Sequence, residues 1–230
     1  MSTLSPKSSA VLAGILLTIL ILLVLILDMD VVIIRLFGVV QPNEANFIGR
    51  SFYWVFVLVM AQYAIKIEMQ PLLIWEERKY RLSMYFSSIL VLTAVIMVSL
   101  AIGNLIISKL TGKWESSEVL KGMADVFRSN KALLVYTALT AGVTEELIFR
   151  GYLQPRLEML LNNPLLAILL SSLIFGLAHY RYGTIQNVLD PFIIGLVLGT
   201  YYWKYRNIKV TILFHFLWDL AGLFLLIRRH

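Results

Sequence analysis

The sequence predicts an all-α protein, a polytopic transmembrane helical bundle with about seven spans and an interfacial amphipathic helix. Hydrophobic residues make up 59% of the chain and charged residues only 15%, whereas soluble domains have roughly 45–50% apolar and 25% charged residues. Apolar runs recur along the chain, and several approach the ~20 residues that an α-helix needs to cross a bilayer. Because no polar stretch is long enough to form a soluble domain, we expect a single membrane-embedded domain over residues 1–230.

The amino-terminal part, residues 1–130, is predicted to hold three spans and a surface helix. The spans cover residues 10–27, 52–67 and 84–107. The first is longer than a signal-peptide core and lacks a small-residue cleavage site, so we expect it to be retained. Residues 31–40 are interrupted by Arg35 and Gly38 and predict an interfacial or re-entrant piece. Residues 108–130 alternate basic and apolar side chains at a spacing typical of an amphipathic helix on the membrane surface; a lid over an active site is the alternative.

The carboxy-terminal part, residues 131–227, is predicted to hold four more spans. They cover residues 132–153, 165–179, 185–203 and 210–227. Pro155 is expected to bend or end the first of these, because proline removes a backbone donor and crowds the preceding turn. Residues 156–161 would then continue as an amphipathic segment. Lys and Arg are shared about equally between alternate connectors, so the positive-inside rule does not decide the orientation.

The composition also excludes some classes of site and partner. The chain has no cysteine, which excludes disulfides, a thiolate nucleophile and a thiolate metal site. The formal net charge is +6, but the basic residues cluster between the apolar runs, where they would contact anionic lipid headgroups. We therefore expect membrane lipids as partners and no nucleic acid.

Two adjacent carboxylates and an arginine lie within one apolar span. A charged side chain at the centre of a span costs roughly 2.5–3.5 kcal/mol on insertion scales, so such residues face the bundle interior and often serve function. Glu146 and Arg150 are four residues apart and can form an ion pair on one helix face. Glu145 points about 100° away and has no partner nearby in sequence. One carboxylate is thus neutralised and the other is available for chemistry; a purely structural role in helix packing is the alternative.

Further ionisable residues lie in the last three predicted spans. His179 follows Phe175 by four residues, His215 and Asp219 are also four apart, and Asp190 lies in the span between them. A single buried histidine is more often a core residue than a catalyst. A set of such residues on separate helices, however, is how bundles build sites. The chemistry that suits this set is water activation, with a glutamate as general base, a histidine sharing the water, and further donors at an oxyanion.

These residues resemble the motifs of the CAAX prenyl protease and bacteriocin-processing family. The three motifs occur in the expected order and are Glu145-Glu146-x-x-x-Arg150, Phe175-x-x-x-His179 and His215-x-x-x-Asp219. Together they form a far more specific signal than any one alone. The amino-terminal half resembles the family only in having several spans.

The resemblance implies an α-helical, multi-pass intramembrane endopeptidase, which we expect in a prokaryotic cell membrane. Its substrate would be a peptide or lipidated protein cut near the carboxyl terminus. The implied roles are Glu145 as the base that activates water, His179 as its partner, Glu146 and Arg150 as a supporting ion pair, Phe175 as the motif aromatic, and His215 with Asp219 as the oxyanion hole. The prenyl-protease branch more often has asparagine at the last position. Because an aspartate donates only when protonated, orienting His215 is an alternative role for Asp219.

Three other interpretations remain open at this stage. A zinc-dependent version of the protease could use Glu145, His179 and His215 as ligands, although the sequence has no His-Glu-x-x-His helix. The resemblance itself implies no cofactor. A non-catalytic peptide-binding or immunity scaffold would not need both Glu145 and His179. A transporter or proton relay also uses intramembrane carboxylates, but transporters often contain internal repeats, and none is visible here.

Overall fold

The computed structural model describes residues 6–27, 29–38, 41–111 and 117–229. The helices in these ranges are α1 (Pro6–Leu27), α2 (Met29–Phe37), α3 (Pro42–Tyr63), α4 (Leu82–Thr111), α5 (Glu118–Ser129), α6 (Lys131–Thr140), α7 (Gln154–Leu161), α8 (Pro164–Leu177), α9 (Gln186–Tyr205) and α10 (Ile208–Arg229). Short π-helical stretches extend α3 (Ala64–Glu68) and join α6 to α7 (Ala141–Glu145 and Leu147–Leu153), and a 3-10 turn (Tyr180–Tyr182) follows α8. The described ranges contain no β-strand.

Six helical segments of the described chain are long and apolar enough to cross a membrane. They are Ser8–Ile26, Pro42–Glu68, Leu82–Leu110, Lys131–Leu161, Pro164–Tyr182 and Ile208–Arg229. The predicted polytopic helical bundle is therefore confirmed. The predicted span at residues 185–203 corresponds to α9, which does not meet this standard. It begins with Gln186 and Asn187, contains Asp190, and ends in a Tyr- and Lys-containing turn, yet it packs against α8 and α4 as part of the bundle.

The helix that carries the paired glutamates does not end at Pro155. It runs continuously from Lys131 to Leu161, and Pro155 lies in the first turn of α7, immediately after the π-helical stretches. Pro155 lacks a backbone donor, but it lies where the π-helical hydrogen-bond pattern changes to that of α7, and the chain remains helical across it. Of the two expected outcomes, an end of the helix at Pro155 is wrong, and a bend there stays a prediction.

The predicted surface helix is present as α5, and it is packed onto the bundle. Residues 112–116 of that prediction, and residues 39–40 of the predicted interfacial piece, lie outside the described residues. Ala124 and Phe127 of α5 are fully buried, and Phe127 packs with Leu133 and Leu134 of α6. The apolar face of α5 thus contacts protein, on the side where α6 and α10 meet.

A buried ion pair fixes α3 against the helix of the glutamates. Arg156 donates to Glu68 at 2.7 Å, and also to the carbonyl oxygens of Pro71 and Leu72. Its guanidinium lies 3.7 Å from the ring centroid of Tyr152, whose hydroxyl donates to the same Glu68 carboxylate at 2.6 Å. Because every charged atom of this cluster has a nearby partner, the cluster can remain buried and join the end of α3 to α7.

Candidate active site

Glu145 and Glu146 lie where two π-helical stretches meet. Glu145 ends the stretch that begins at Ala141, and Glu146 precedes the stretch that begins at Leu147. π-Helical turns make up well under about 1% of residues in proteins and occur frequently at functional sites. The two adjacent carboxylates lie in different surroundings, with Glu146 in close contact with Arg150 and His215 and Glu145 farther from its neighbours.

The Glu146 carboxylate is fully enclosed and has two close partners. Its Oε1 lies 3.1 Å from Nη1 of Arg150 and 2.9 Å from Nδ1 of His215. Arg150 stacks over the ring of Phe175 at 4.5 Å, and the Phe175 ring meets the rings of both His179 and His215 edge-on. Glu146, Arg150 and Phe175 therefore form a packed base beneath the two histidines.

The Glu145 carboxylate is buried, and no partner lies at hydrogen-bond distance from it among the residues that the structure describes. Its Oε1 lies 3.9 Å from Nη1 of Arg50, and its Oε2 lies 3.9 Å from Nε2 of His215. Both distances exceed the 2.7–3.2 Å typical of such hydrogen bonds. Glu145 is thus held near two nitrogen groups without being locked by either.

The two histidines have different partners for their ring nitrogens. His179, in the turn after α8, has Nδ1 2.8 Å from the carbonyl oxygen of Phe175. Because a carbonyl only accepts, this Nδ1 carries the proton, and Nε2 of a neutral His179 is an acceptor. Nδ1 of His215 faces the Glu146 carboxylate, and its Nε2 lies 3.6 Å from Oδ2 of Asp219. Asp219 therefore contacts the same ring edge that faces Glu145.

Two adjoining cavities contain these side chains. The histidine cavity, about 340 Å³, is lined by His179, His215 and Asp219 among others. The glutamate cavity, about 240 Å³, is lined by Arg50, Glu145 and Asp219 among others. Both share a wall formed by Leu120, Tyr182, Trp218, Asp219 and Gly222. A larger apolar groove of about 620 Å³ lies between α8 and α9, but its lining includes no carboxylate or histidine, so we place the chemistry in the two smaller cavities.

Leu120 of α5 lines both cavities, so the surface helix borders the site. The hydroxyl of Ser117, at the start of α5, donates to the carbonyl oxygen of Tyr182 at 2.6 Å and accepts from the backbone of Leu120. This double contact joins the amino terminus of α5 to the turn that follows His179. The position agrees with the alternative that α5 is a lid, a role that stays a prediction.

The structure brings together all the residues that the three motifs single out. Glu145, Glu146, Arg150, Phe175, His179, His215 and Asp219 lie within one connected set of contacts and cavity walls. Asp190 accepts a hydrogen bond from Asn104 at 2.9 Å and lines the histidine cavity together with Asp219. Among the described residues, no three His, Asp or Glu side chains form a group that could hold a metal ion.

Sequence reasoning missed Arg50. It precedes the apolar run that begins at residue 52, so hydropathy assigned it to a connector. In the structure it lies within the span Pro42–Glu68, and its guanidinium reaches the glutamate cavity. An arginine within a long helical segment was the available signal, since a charge at such a position needs a partner inside the bundle.

Comparison with known proteins identifies the segment that holds the site. Residues 128–221 match the family model described as "Rce1-like: Type II CAAX prenyl endopeptidase Rce1-like". No curated protein and no solved structure matches the chain. The matched segment begins just before α6 and ends within α10, so it includes all three motifs but not Arg50. Through this segment the chain is similar to the type II CAAX prenyl endopeptidases, and its six long apolar helical segments indicate an integral, multi-pass membrane protein.

Proposed function

We propose that the protein hydrolyses a peptide bond near the carboxyl terminus of a prenylated or other small membrane-associated protein, with Glu145 as the general base. The observation that carries this proposal is the contrast between the two glutamates. Glu146 is in contact with Arg150 and His215, whereas Glu145 lines a cavity and has its basic neighbours among the described residues, Arg50 and His215, at 3.9 Å. A carboxylate that is buried and not already paired closely can take a proton from water.

The proposed reaction follows from the groups around Glu145. Glu145 takes a proton from a water molecule, and the water oxygen forms a bond to the scissile carbonyl carbon. The carbonyl oxygen becomes an oxyanion, to which Nε2 of a protonated His215 donates. When the C–N bond breaks, the proton held by Glu145 passes to the leaving amine. His179, whose Nε2 is an acceptor in the neutral ring, shares the attacking water with Glu145.

The substrate part of the proposal rests on the family and on the location of the site. The matched family is described by prenyl endopeptidase activity, and the two cavities lie among helices of which several are long and apolar enough to cross a membrane. A substrate with a lipid anchor is confined to the same membrane. Its carboxyl-terminal segment would then reach the cavities beneath α5.

The test compares purified wild-type protein with Glu145→Gln on farnesylated and geranylgeranylated carboxyl-terminal peptides, with a metal chelator present. We expect wild type to cleave and Glu145→Gln to lose on the order of 10²–10⁴-fold in kcat, the range attributed to general acid–base groups. Glu118→Gln is the matched control, because Glu118 is an exposed carboxylate on α5 that pairs with Lys121. Thermal unfolding of each variant shows whether the fold is retained.

The other outcomes distinguish the alternatives. Cleavage that is lost with chelator and restored by zinc would replace the water-activating role of Glu145 with the zinc-dependent mechanism. Peptide binding without cleavage by wild type would indicate a non-catalytic scaffold. Equal cleavage by wild type and Glu145→Gln would exclude Glu145 as the base.

A further inference from the structure

Arg50 brings a permanent positive charge into the glutamate cavity. It lies on α3, outside the segment that matches the protease family. Its side chain is only 16% exposed, and Nη1 lies 3.9 Å from Oε1 of Glu145. The guanidinium also lies close to the Tyr182 side chain and 5.9 Å from the ring centroid of Tyr53. A guanidinium has five N–H donors, so these contacts leave donors to face the cavity.

Polar contacts fix the register of α3 against the helix of the glutamates. Three hydrogen bonds flank Arg50 on both sides, and they join Asn46 to Thr137 at 3.1 Å, Ser51 to Tyr136 at 2.9 Å, and Trp54 to Thr140 at 3.0 Å. Because these contacts lie within about one turn of Arg50, they hold its Cα opposite the glutamate cavity. The position of the guanidinium is therefore set by the fold of α3 and α6.

The proposed reaction needs hydrogen-bond donors for the oxyanion, and the motif residues supply too few of them. A tetrahedral oxyanion is stabilised by donors placed about 2.7–3.1 Å from it. Asp219 lies in the same cavity as Glu145, but an ionised carboxylate only accepts hydrogen bonds. Because Nδ1 of His215 contacts Glu146, Nε2 is the one nitrogen of this ring that can donate to the oxyanion. Arg50 offers charged donors at every working pH, because a guanidinium is not deprotonated in proteins.

We propose that Arg50 is a catalytic residue that donates to the tetrahedral oxyanion, beside Nε2 of His215. The inference rests on the proposed function, since it assumes that Glu145 activates the water. The tetrahedral carbon holds two oxygens, one from the water and one from the carbonyl. The 3.9 Å between Glu145 Oε1 and Arg50 Nη1 lets each group contact one of them at the same time. A second role, holding Glu145 in place, would leave the oxyanion without contact to Arg50.

The test measures catalysis and transition-state binding in parallel. The variants are Arg50→Gln, Arg50→Lys and the control Trp54→Phe, which removes a hydrogen bond between α3 and α6 without changing charge. The probes are a farnesylated peptide substrate and its phosphinate analogue, whose tetrahedral anion replaces the scissile carbonyl. We expect Arg50→Gln to lower kcat by about 10²–10³-fold, to leave KM within a few-fold, and to weaken phosphinate binding by the same factor as kcat/KM. Trp54→Phe should resemble wild type in both assays.

Arg50→Lys keeps the charge but loses the planar donor pair. We therefore expect a smaller loss in kcat/KM, with a parallel loss in phosphinate affinity. If Arg50→Gln does not fold, Arg50→Lys takes its place in the test. Lower kcat with unchanged phosphinate binding in either variant would overturn the proposal in favour of positioning Glu145. Unchanged kcat in Arg50→Gln, or an equal loss in Trp54→Phe, would also overturn it. If wild type is active and Glu145→Gln is not, these failures leave the proposed function standing; an inactive wild type refutes both.

Discussion

Replacing Glu146 with alanine removes the shared partner of two enclosed side chains. The Glu146 carboxylate lies 3.1 Å from Arg150 and 2.9 Å from His215. Without it, the Arg150 guanidinium keeps only the face of the Phe175 ring and a long contact of 3.5 Å to the carbonyl oxygen of Gly195. Neither contact carries a negative charge. Among the described residues, the arginine would then be a buried cation with no carboxylate in direct contact, and Glu145 would be its remaining, more distant counter-charge.

Breaking a buried pair from one side typically costs about 3–5 kcal/mol. For folded domains of about this length, each kcal/mol corresponds to roughly 2–4 °C in Tm. The expected decrease in Tm for Glu146→Ala is therefore about 6–20 °C. The lost contact to His215 adds no independent increment to this range, because the effects of neighbouring contacts are not additive.

The assay is thermal unfolding in one detergent, followed by tryptophan fluorescence and circular dichroism. Glu145→Ala is the matched control, since it removes the adjacent carboxylate with neighbours only at 3.9 Å; we expect less than half the decrease. The double variant Glu146→Ala/Arg150→Met should recover part of the loss, because it removes the stranded charge. A Tm for Glu146→Ala within about 2 °C of wild type, or no recovery in the double variant, would refute the reasoning.

Two further predictions concern the backbone and the buried cluster that hold the site. A Cβ on Gly142 would lie 2.7 Å from the backbone nitrogen of Phe216, so Gly142→Ala should push α10 away from the helix of the glutamates. We expect this change to lower the free energy of unfolding by about 1–3 kcal/mol and kcat on the farnesylated peptide at least tenfold. Gly122→Ala has nothing within 4 Å and should be neutral or more stable by about 0.5–1 kcal/mol; similar behaviour of the two variants would contradict this. Tyr152→Phe removes a 2.6 Å hydrogen bond to the buried Glu68, so its unfolding free energy should decrease by about 1.5–3 kcal/mol, and an unchanged Tm would show that the bond adds no stability.

Local sequence spacing was sufficient to predict contacts within one helix. Glu146 with Arg150, and His215 with Asp219, are four residues apart, and both pairs are in proximity in the structure. Helical periodicity brings such residues to one face whatever the rest of the fold does. The helical bundle itself followed from the high apolar content, because a chain in lipid must satisfy its backbone hydrogen bonds internally.

Contacts between distant segments could not be predicted in this way. The approach of Arg50 to Glu145 depends on the register of α3 against α6, which is set by side chains that are unremarkable in the sequence. The π-helical stretches before Pro155 have no sequence pattern of their own, so the helix was expected to bend or end there. For α9, an apolar centre predicted a span, whereas its polar ends and its packing against α8 and α4 depend on neighbours that hydropathy does not include.

The site contains two glutamate–arginine pairs, and their difference suggests how the work is divided. Glu146 and Arg150 are enclosed and in direct contact at 3.1 Å, so neither is free to meet a substrate. Glu145 and Arg50 are 3.9 Å apart and line a cavity, so both can meet other groups. A closely paired carboxylate is a poor base, because taking a proton would break its ion pair. A loosely paired carboxylate can gain and lose a proton while its cation contacts the developing charge of the oxyanion. Exchanging the roles would require Arg150 to leave the Phe175 ring, which the packing at the base of the site opposes.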